Sequence, residues 1–235
     1  MASEPFRTVD LTSGNQELGP FPAWTYTTHP VPVPVLVPDM ASNKRQSILP
    51  RVQAGPKAPV NFSSSITIAD TAILTGNHTI NISSDSVIHP RSKLDSSGGR
   101  VTIGRRCIVH ERTHVGAPGP APPSSSASFG VLLEDYVTVE VAAVIESGET
   151  TIAEGCLIGI GARIGRGAQL GKHCTITAKS VVSPGERVPD YTVVYSNGVR
   201  RLDKRGVNDL KNKAQARQIE VLRRLIPSNP AKFKD

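Results

Sequence analysis

Large aromatic side chains are almost missing from this chain of 235 residues: Phe, Tyr and Trp together make up 4%, and Trp24 is the single tryptophan. A globule of this size ordinarily anchors its core on such side chains, so the composition argues for another kind of interior. Long apolar runs are missing as well. No stretch reaches the roughly 18 apolar residues that span a bilayer, which argues against direct membrane insertion. The N-terminus shows no charged segment followed by an apolar one, so a secretory leader is not expected and the chain reads as cytoplasmic. Under that reading the sequons at Asn61, Asn77 and Asn81 are accidents of a Ser/Thr/Asn-rich composition. Acidic residues are in deficit, 20 against 27 Lys and Arg, for a net charge of +7. This favours acidic partners in general but is too diffuse to point to nucleic acid.

Glycine (20) and proline (19) are plentiful. Residues 1–62 are Pro-rich; "FPAWTYTTHPVPVPVLVPDM" reads as extended polyproline, and the segment is expected to be a disordered extension. Met40-Ala41-Ser42 repeats Met1-Ala2-Ser3, which marks Met40 as a second point where translation could begin.

From Ile68 onward an aliphatic residue returns every sixth position. Ile152 is followed by Ile158, Ile164, Leu170, Ile176, Val182 and Val188 without a slip. Neither the helical period of 3.6 nor the strand period of 2 produces a spacing of six. A parallel β-helix does: each hexapeptide makes one short strand and one corner, and three of them close a triangular coil of about 18 residues. The expected fold is therefore all-β, about six coils over residues 63–200, with a loop insertion at 116–130 that interrupts the beat. Glycine follows the aliphatic at Gly104, Gly116, Gly159, Gly165 and Gly171, as tight corners would prefer. Four residues after the aliphatic comes a small side chain, among them Ala72, Ser92, Cys107, Ala162 and Ser180. Cys107, Cys156 and Cys174 all fall there and read as buried, reduced thiols. The flat ends of such a prism expose unpaired strands that a tail or a partner must cover.

Residues 201–235 differ. Asn208 to Ile226 forms a helical pattern, with Asn208 expected as N-cap and Pro227 as the stop. Leu210, Ala214, Val221 and Leu225 make an apolar side, widened by Ile219, Leu222 and Ile226, and the helix is expected to lie along the prism. Lys211, Lys213, Arg217, Arg223 and Arg224 decorate the remainder as a solvated face.

Catalytic chemistry finds little support. Zinc enzymes resembling the gamma-class carbonic anhydrases need three imidazoles, two of them five residues apart. His110 and His114 are four apart and His89 completes a weak set, so no metal is expected. A hexapeptide acyltransferase needs a general-base histidine beside an acyl-donor cleft. His173 sits at a corner with no long loop nearby, and residues 116–130 contain no histidine, acid or base. No phosphate cradle is visible, and no cofactor is expected.

Several segments carry a resemblance. "VIHPRSKL" (87–94), the insertion at 116–130, "VVYSNGVRR" (193–201) and "VLRRLIPSNPAKFK" (221–234) resemble the pointed-end β-helix subunits of dynactin, subunit 6 before its sibling subunit 5. The resemblance covers residues 63–235 and implies a left-handed coil and a non-catalytic structural role. It also implies partners: dynactin subunit 5, with actin-related protein 11 and dynactin subunit 4 alongside, and indirectly dynein and its cargo adaptors. Arg200, Arg201, Leu222, Leu225 and Ile226 are the expected interface or helix-packing residues.

Overall fold

In the computed structural model, residues 56–119 and 130–234 are described. The expected disordered extension and the middle of the insertion therefore fall almost wholly outside the described residues. The repeat forms the parallel β-helix anticipated from its period, with the left-handed coil that the resemblance implied and one C-terminal α-helix. The first face has seven strands, from Val60–Phe62 to Arg187–Val188. The second runs from Thr67–Ile68 to Thr192–Val194 and gains Arg200–Leu202 as an eighth strand. The third has six, from Ile73–Thr75 to Val181–Val182. Six coils are complete, and two strands begin a seventh. The solenoid starts earlier than residue 63: Val60–Phe62 pairs in parallel with Ile80–Ile82, and Ala58 is already buried.

Register explains the six-residue beat. Val139, Ile158 and Ile176 stack on the second face, each directly over the last, and all are fully buried. Ile145 and Ile164 do the same on the third face, and Ile152, Leu170 and Val188 on the first. β-branched side chains suit this because adjacent strands bring them within about 4.8 Å, close enough for unbroken contact along the column. Ile80 and Ile82, where the beat slips by two, both face inward from one strand, and their partners Val101 and Ile103 repeat the arrangement. The slip adds a residue pair to one side of the triangle and leaves the core intact.

The small position is buried throughout, and its Ser, Thr and Cys residues are satisfied there. Ser86 Oγ donates to the Gly104 carbonyl at 2.7 Å, Thr113 Oγ1 to that of His110 at 2.9 Å, and Cys107 Sγ approaches that of Glu134 at 3.0 Å. Corner carbonyls cannot pair within a strand, so small hydroxyls and thiols serve them. Burial pushes the Cys107 thiol up to about 12, and contact with the Cys174 thiol, with burial second, raises that of Cys156, so neither is a reactive thiolate near neutral pH.

The glycines after the aliphatic serve a different purpose from the one their position suggests. A Cβ on Gly159 would lie 2.7 Å from the Ile176 carbonyl oxygen, and one on Gly165 would lie 2.6 Å from the Pro184 nitrogen. Close approach of the next coil, not a left-handed backbone, selects glycine here. The left-handed residue comes two positions later, and it is often not glycine: Arg91, Arg112 and Lys179 sit at φ of 57–58°. Gly159→Ala is expected to cost about 1–3 kcal/mol, because backbone must move. Lys179→Gly is expected to gain about 0.5 kcal/mol, since relief of the left-handed penalty of about 1–2 kcal/mol exceeds glycine's entropy cost of about 0.5–1. Urea midpoints of the two variants should move in opposite directions.

The helix, α1 (Asn208–Leu225), starts without a side-chain cap, so Asn208 does not act as N-cap. Its backbone ends before Pro227, as expected. Ile219, Leu222 and Ile226 pack on Ala69, Val87 and Ile108 of the second face. Arg223 reaches Asp85 at 3.2 Å, and Gln215 Nε2 donates to the Arg106 carbonyl at 2.9 Å. Leu225 is corrected as a packing residue: it is 70% exposed, with Leu210 at 66% and Val221 at 56%. The stripe read from sequence is really two faces, and only the Ile219–Leu222–Ile226 face meets the prism.

Candidate functional site

The two ends of the prism differ, and the C-terminal segments make the difference. After Pro227 the chain crosses the first coil. Ser228 bridges Ala69 in antiparallel fashion, and its Oγ accepts the Ile68 N–H at 3.0 Å. The Asn229 N–H donates to the Ile68 carbonyl at 3.0 Å. The short turn Pro230–Phe233 then delivers Phe233, 8% exposed, into the end of the main core beside Ala58. Lys57 bridges Thr75 on the third face. The first coil is thus covered by the chain's own residues on two of its three sides.

At the other end, among the described residues, only the second face is covered. "VVYSNGVRR" forms a hairpin in which Thr192, Val193 and Val194 pair antiparallel with Leu202, Arg201 and Arg200. The Tyr195 N–H donates to the Val199 carbonyl at 2.9 Å, which closes the turn. Arg200 forms an ion pair with Glu186, which holds the hairpin to the last coil, and Arg201 is exposed. Val181–Val182 and Arg187–Val188 are the last strands of their sheets and leave one edge open. Val181 is 60% exposed beside them. A shallow groove of about 430 Å³ lies along the first face at this end, lined by Thr151, Gln169, Leu170, Gly171, Arg187 and Val188.

The histidines form no three-imidazole site. His89 and His110 occupy the same corner position on successive coils, with ring centroids 4.5 Å apart. His114 is on the third face instead, with Nε2 3.7 Å from Asp95. Among the described residues no group of three or more His, Cys, Asp or Glu is gathered to hold a metal. His173 stacks on Tyr191 with centroids 5.4 Å apart, at a corner and not in a cleft.

Burial, and secondarily His110, hold His89 down at about 4, and burial lowers His110 and His114 in the same direction. In the folded chain His89 stays neutral until pH falls to about 4, whereas an unfolded imidazole takes a proton near pH 6.5. Unfolded chain therefore binds more protons in that window, so stability is fully present above about pH 6.5 and lost as pH falls toward 4. The ring is half-exposed, so the expected loss is about 1–2 kcal/mol. Urea melts across this window should show that slope, and His89→Gln should lessen it, leaving the part that His110 and His114 contribute.

No protein-family model matches the chain, and neither does any curated protein sequence. Solved structures do match. One is a Bacillus cereus protein described as an acetyltransferase: 22% identical, TM-score 0.55, covering 71% of this chain and 92% of that one. Another is a hexapeptide transferase family protein from Anaplasma phagocytophilum, 15% identical with a TM-score of 0.49, covering 72% and 97%. The likeness to the first establishes a hexapeptide-repeat β-helix fold. The expectation of a chain without enzymatic activity is corrected here: the Bacillus cereus structure whose fold it shares is described as an acetyltransferase. Sequence reasoning counted histidine spacings and a missing cleft against catalysis.

Proposed function

We propose that this chain is an assembly subunit of the dynactin pointed end, joined through the open end of its prism to a β-helix of the dynactin subunit 5 kind. Actin-related protein 11 and dynactin subunit 4 would then lie nearby in the cytoplasm, and the assembly would serve dynein and its cargo adaptors on microtubules. The observation that carries this reading is the asymmetry of the ends: Phe233, Ser228 and Lys57 cover two of the three sides of one, while among the described residues the outer edges of Val181–Val182 and Arg187–Val188 stay open at the other. An unpaired parallel edge is a template for another chain's strand, and a second β-helix presents strands in the matching triangular arrangement. The segments that support the dynactin resemblance, 193–201 and 221–234, are the same ones that build this asymmetry.

A second reading, acyl transfer, is favoured by the fold's relatives and by one local feature. His89 and His110 are both held neutral, and Nε2 of His89 has no hydrogen-bond partner. A neutral imidazole can accept a proton from an acceptor hydroxyl or amine, provided the corner opens to expose this buried nitrogen.

Light scattering on the purified chain, alone and mixed with dynactin subunit 5, separates the two. The assembly reading expects a one-to-one heteromer that Val181→Glu weakens at least tenfold, about 1.4 kcal/mol. A homotrimer indifferent to subunit 5 that turns over acetyl coenzyme A, with turnover lost in His110→Ala, would overturn it in favour of acyl transfer.

A further inference from the structure

The outer side of α1 is an apolar seam that the prism does not use. Leu210, Ala214, Arg217, Val221 and Leu225 follow one another at intervals of four, three, four and four residues, the spacing that lines up one helix against another. All five are exposed, and the three large aliphatics leave more than half of their surface in solvent. The helix does not need this side to be held in place. Its opposite side is already anchored by Ile219, Leu222 and Ile226, by the Arg223–Asp85 ion pair and by the Gln215–Arg106 hydrogen bond. A helix fixed on a rigid wall and showing an apolar seam outward is a preformed docking surface, which lowers the ordering cost of binding.

Charge selects the occupant. Arg217 stands within the seam and Lys213 and Arg224 beside it, with Lys211 and Arg223 elsewhere on the same helix. Only Asp209 and Glu220 oppose them, and Glu220 is engaged by Arg224 at 3.0 Å. Two copies of this seam would bring like charges together, so self-pairing is disfavoured. A lipid surface fits poorly, because the helix's broader apolar face is spent on the prism and the seam carries no aromatic side chain.

We infer that the Leu210–Leu225 seam docks an acidic amphipathic helix of a partner protein. Its apolar residues would interleave with Leu210, Val221 and Leu225, and its flanking carboxylates would face Lys213, Arg217 and Arg224. This surface lies on the helix, apart from the open strand edges, and does not depend on the proposed end-on docking.

Fluorescence anisotropy with two synthetic 28-residue heptad peptides tests it. Both carry Leu at the seam positions; one is flanked by Glu and the other by Lys. The acidic peptide should bind the full chain, weaken with added salt, and lose at least tenfold in affinity against Leu225→Glu or Leu210→Glu. Both positions are exposed, so circular dichroism should show the variants folded. Equal binding of the two peptides, no binding of either, or undiminished binding to the folded variants would overturn the inference. So would a seam-dependent homodimer, or seam-dependent binding to anionic phosphatidylserine vesicles, since either would name a different occupant.

Discussion

Ile158→Asp is expected to leave the chain unfolded, with its far-ultraviolet circular dichroism reduced to that of a coil. Ile158 lies in the middle of the second face's inward column, fully buried between Val139 and Ile176. Removing its side chain from that column forfeits about 2–3 kcal/mol of apolar burial. Enclosing a carboxylate there adds several kcal/mol more, because no partner for it reaches the axis of the prism. The sum approaches the whole stability of an ordinary domain, about 5–15 kcal/mol. Ile158→Val keeps the branched shape and should cost only about 0.5–1.5 kcal/mol. A folded, cooperative Ile158→Asp protein would mean that the column is not what holds the coils in register.

The second large effect concerns the closing tail. Deleting residues 228–235 removes the Phe233 plug, the Ser228–Ala69 bridge and the hydrogen bonds at Ile68 together. Phe233→Ala alone is expected to cost about 3–5 kcal/mol, the usual range for a buried phenylalanine at the end of a core. Truncation should cost at least as much and should also bare the edge of the strand Thr67–Ile68. A bared parallel edge recruits other chains, so the truncated protein should associate in a concentration-dependent way while Phe233→Ala stays monomeric. If both variants melt like the intact chain, the tail is an ornament of the fold and the contrast between the two ends disappears.

The columns were legible because an inward side chain has to recur at each strand; Ile152 through Val188 repeat every sixth residue for that reason alone. The small position was legible for the same steric reason. The carbonyls that its Ser, Thr and Cys groups serve were not, since some of them, such as Gly104's for Ser86, belong to a neighbouring coil. Glycine at the corner was seen but misread, because sequence cannot distinguish a left-handed backbone from a close approach across coils. The left-handed position itself carries Arg, Lys, Tyr and His as well as Gly155, Gly161, Gly167 and Gly185, so its compositional signal is weak. Within α1, aliphatics occupy so much of the circumference that the anchored face and the outer seam merged into one stripe. Phe233 lies outside any periodic pattern, and nothing but its place in the fold marks it as a plug. His89 and His110 could be matched in register from sequence, whereas their ring contact and lowered basicity depend on how deeply the corner is packed.

The most direct measurement on the assembly account is hydrogen exchange of the free chain and of the chain mixed with dynactin subunit 5, followed over residues 181–188. These residues include both strands whose outer edges are open. The account predicts fast exchange at Val181 and Arg187 in the free chain and marked slowing in the mixture, while residues 227–234 at the closed end stay unchanged. Unaltered exchange over 181–188 in a mixture that has formed a complex would contradict it, because the partner would then sit on some other face of the prism.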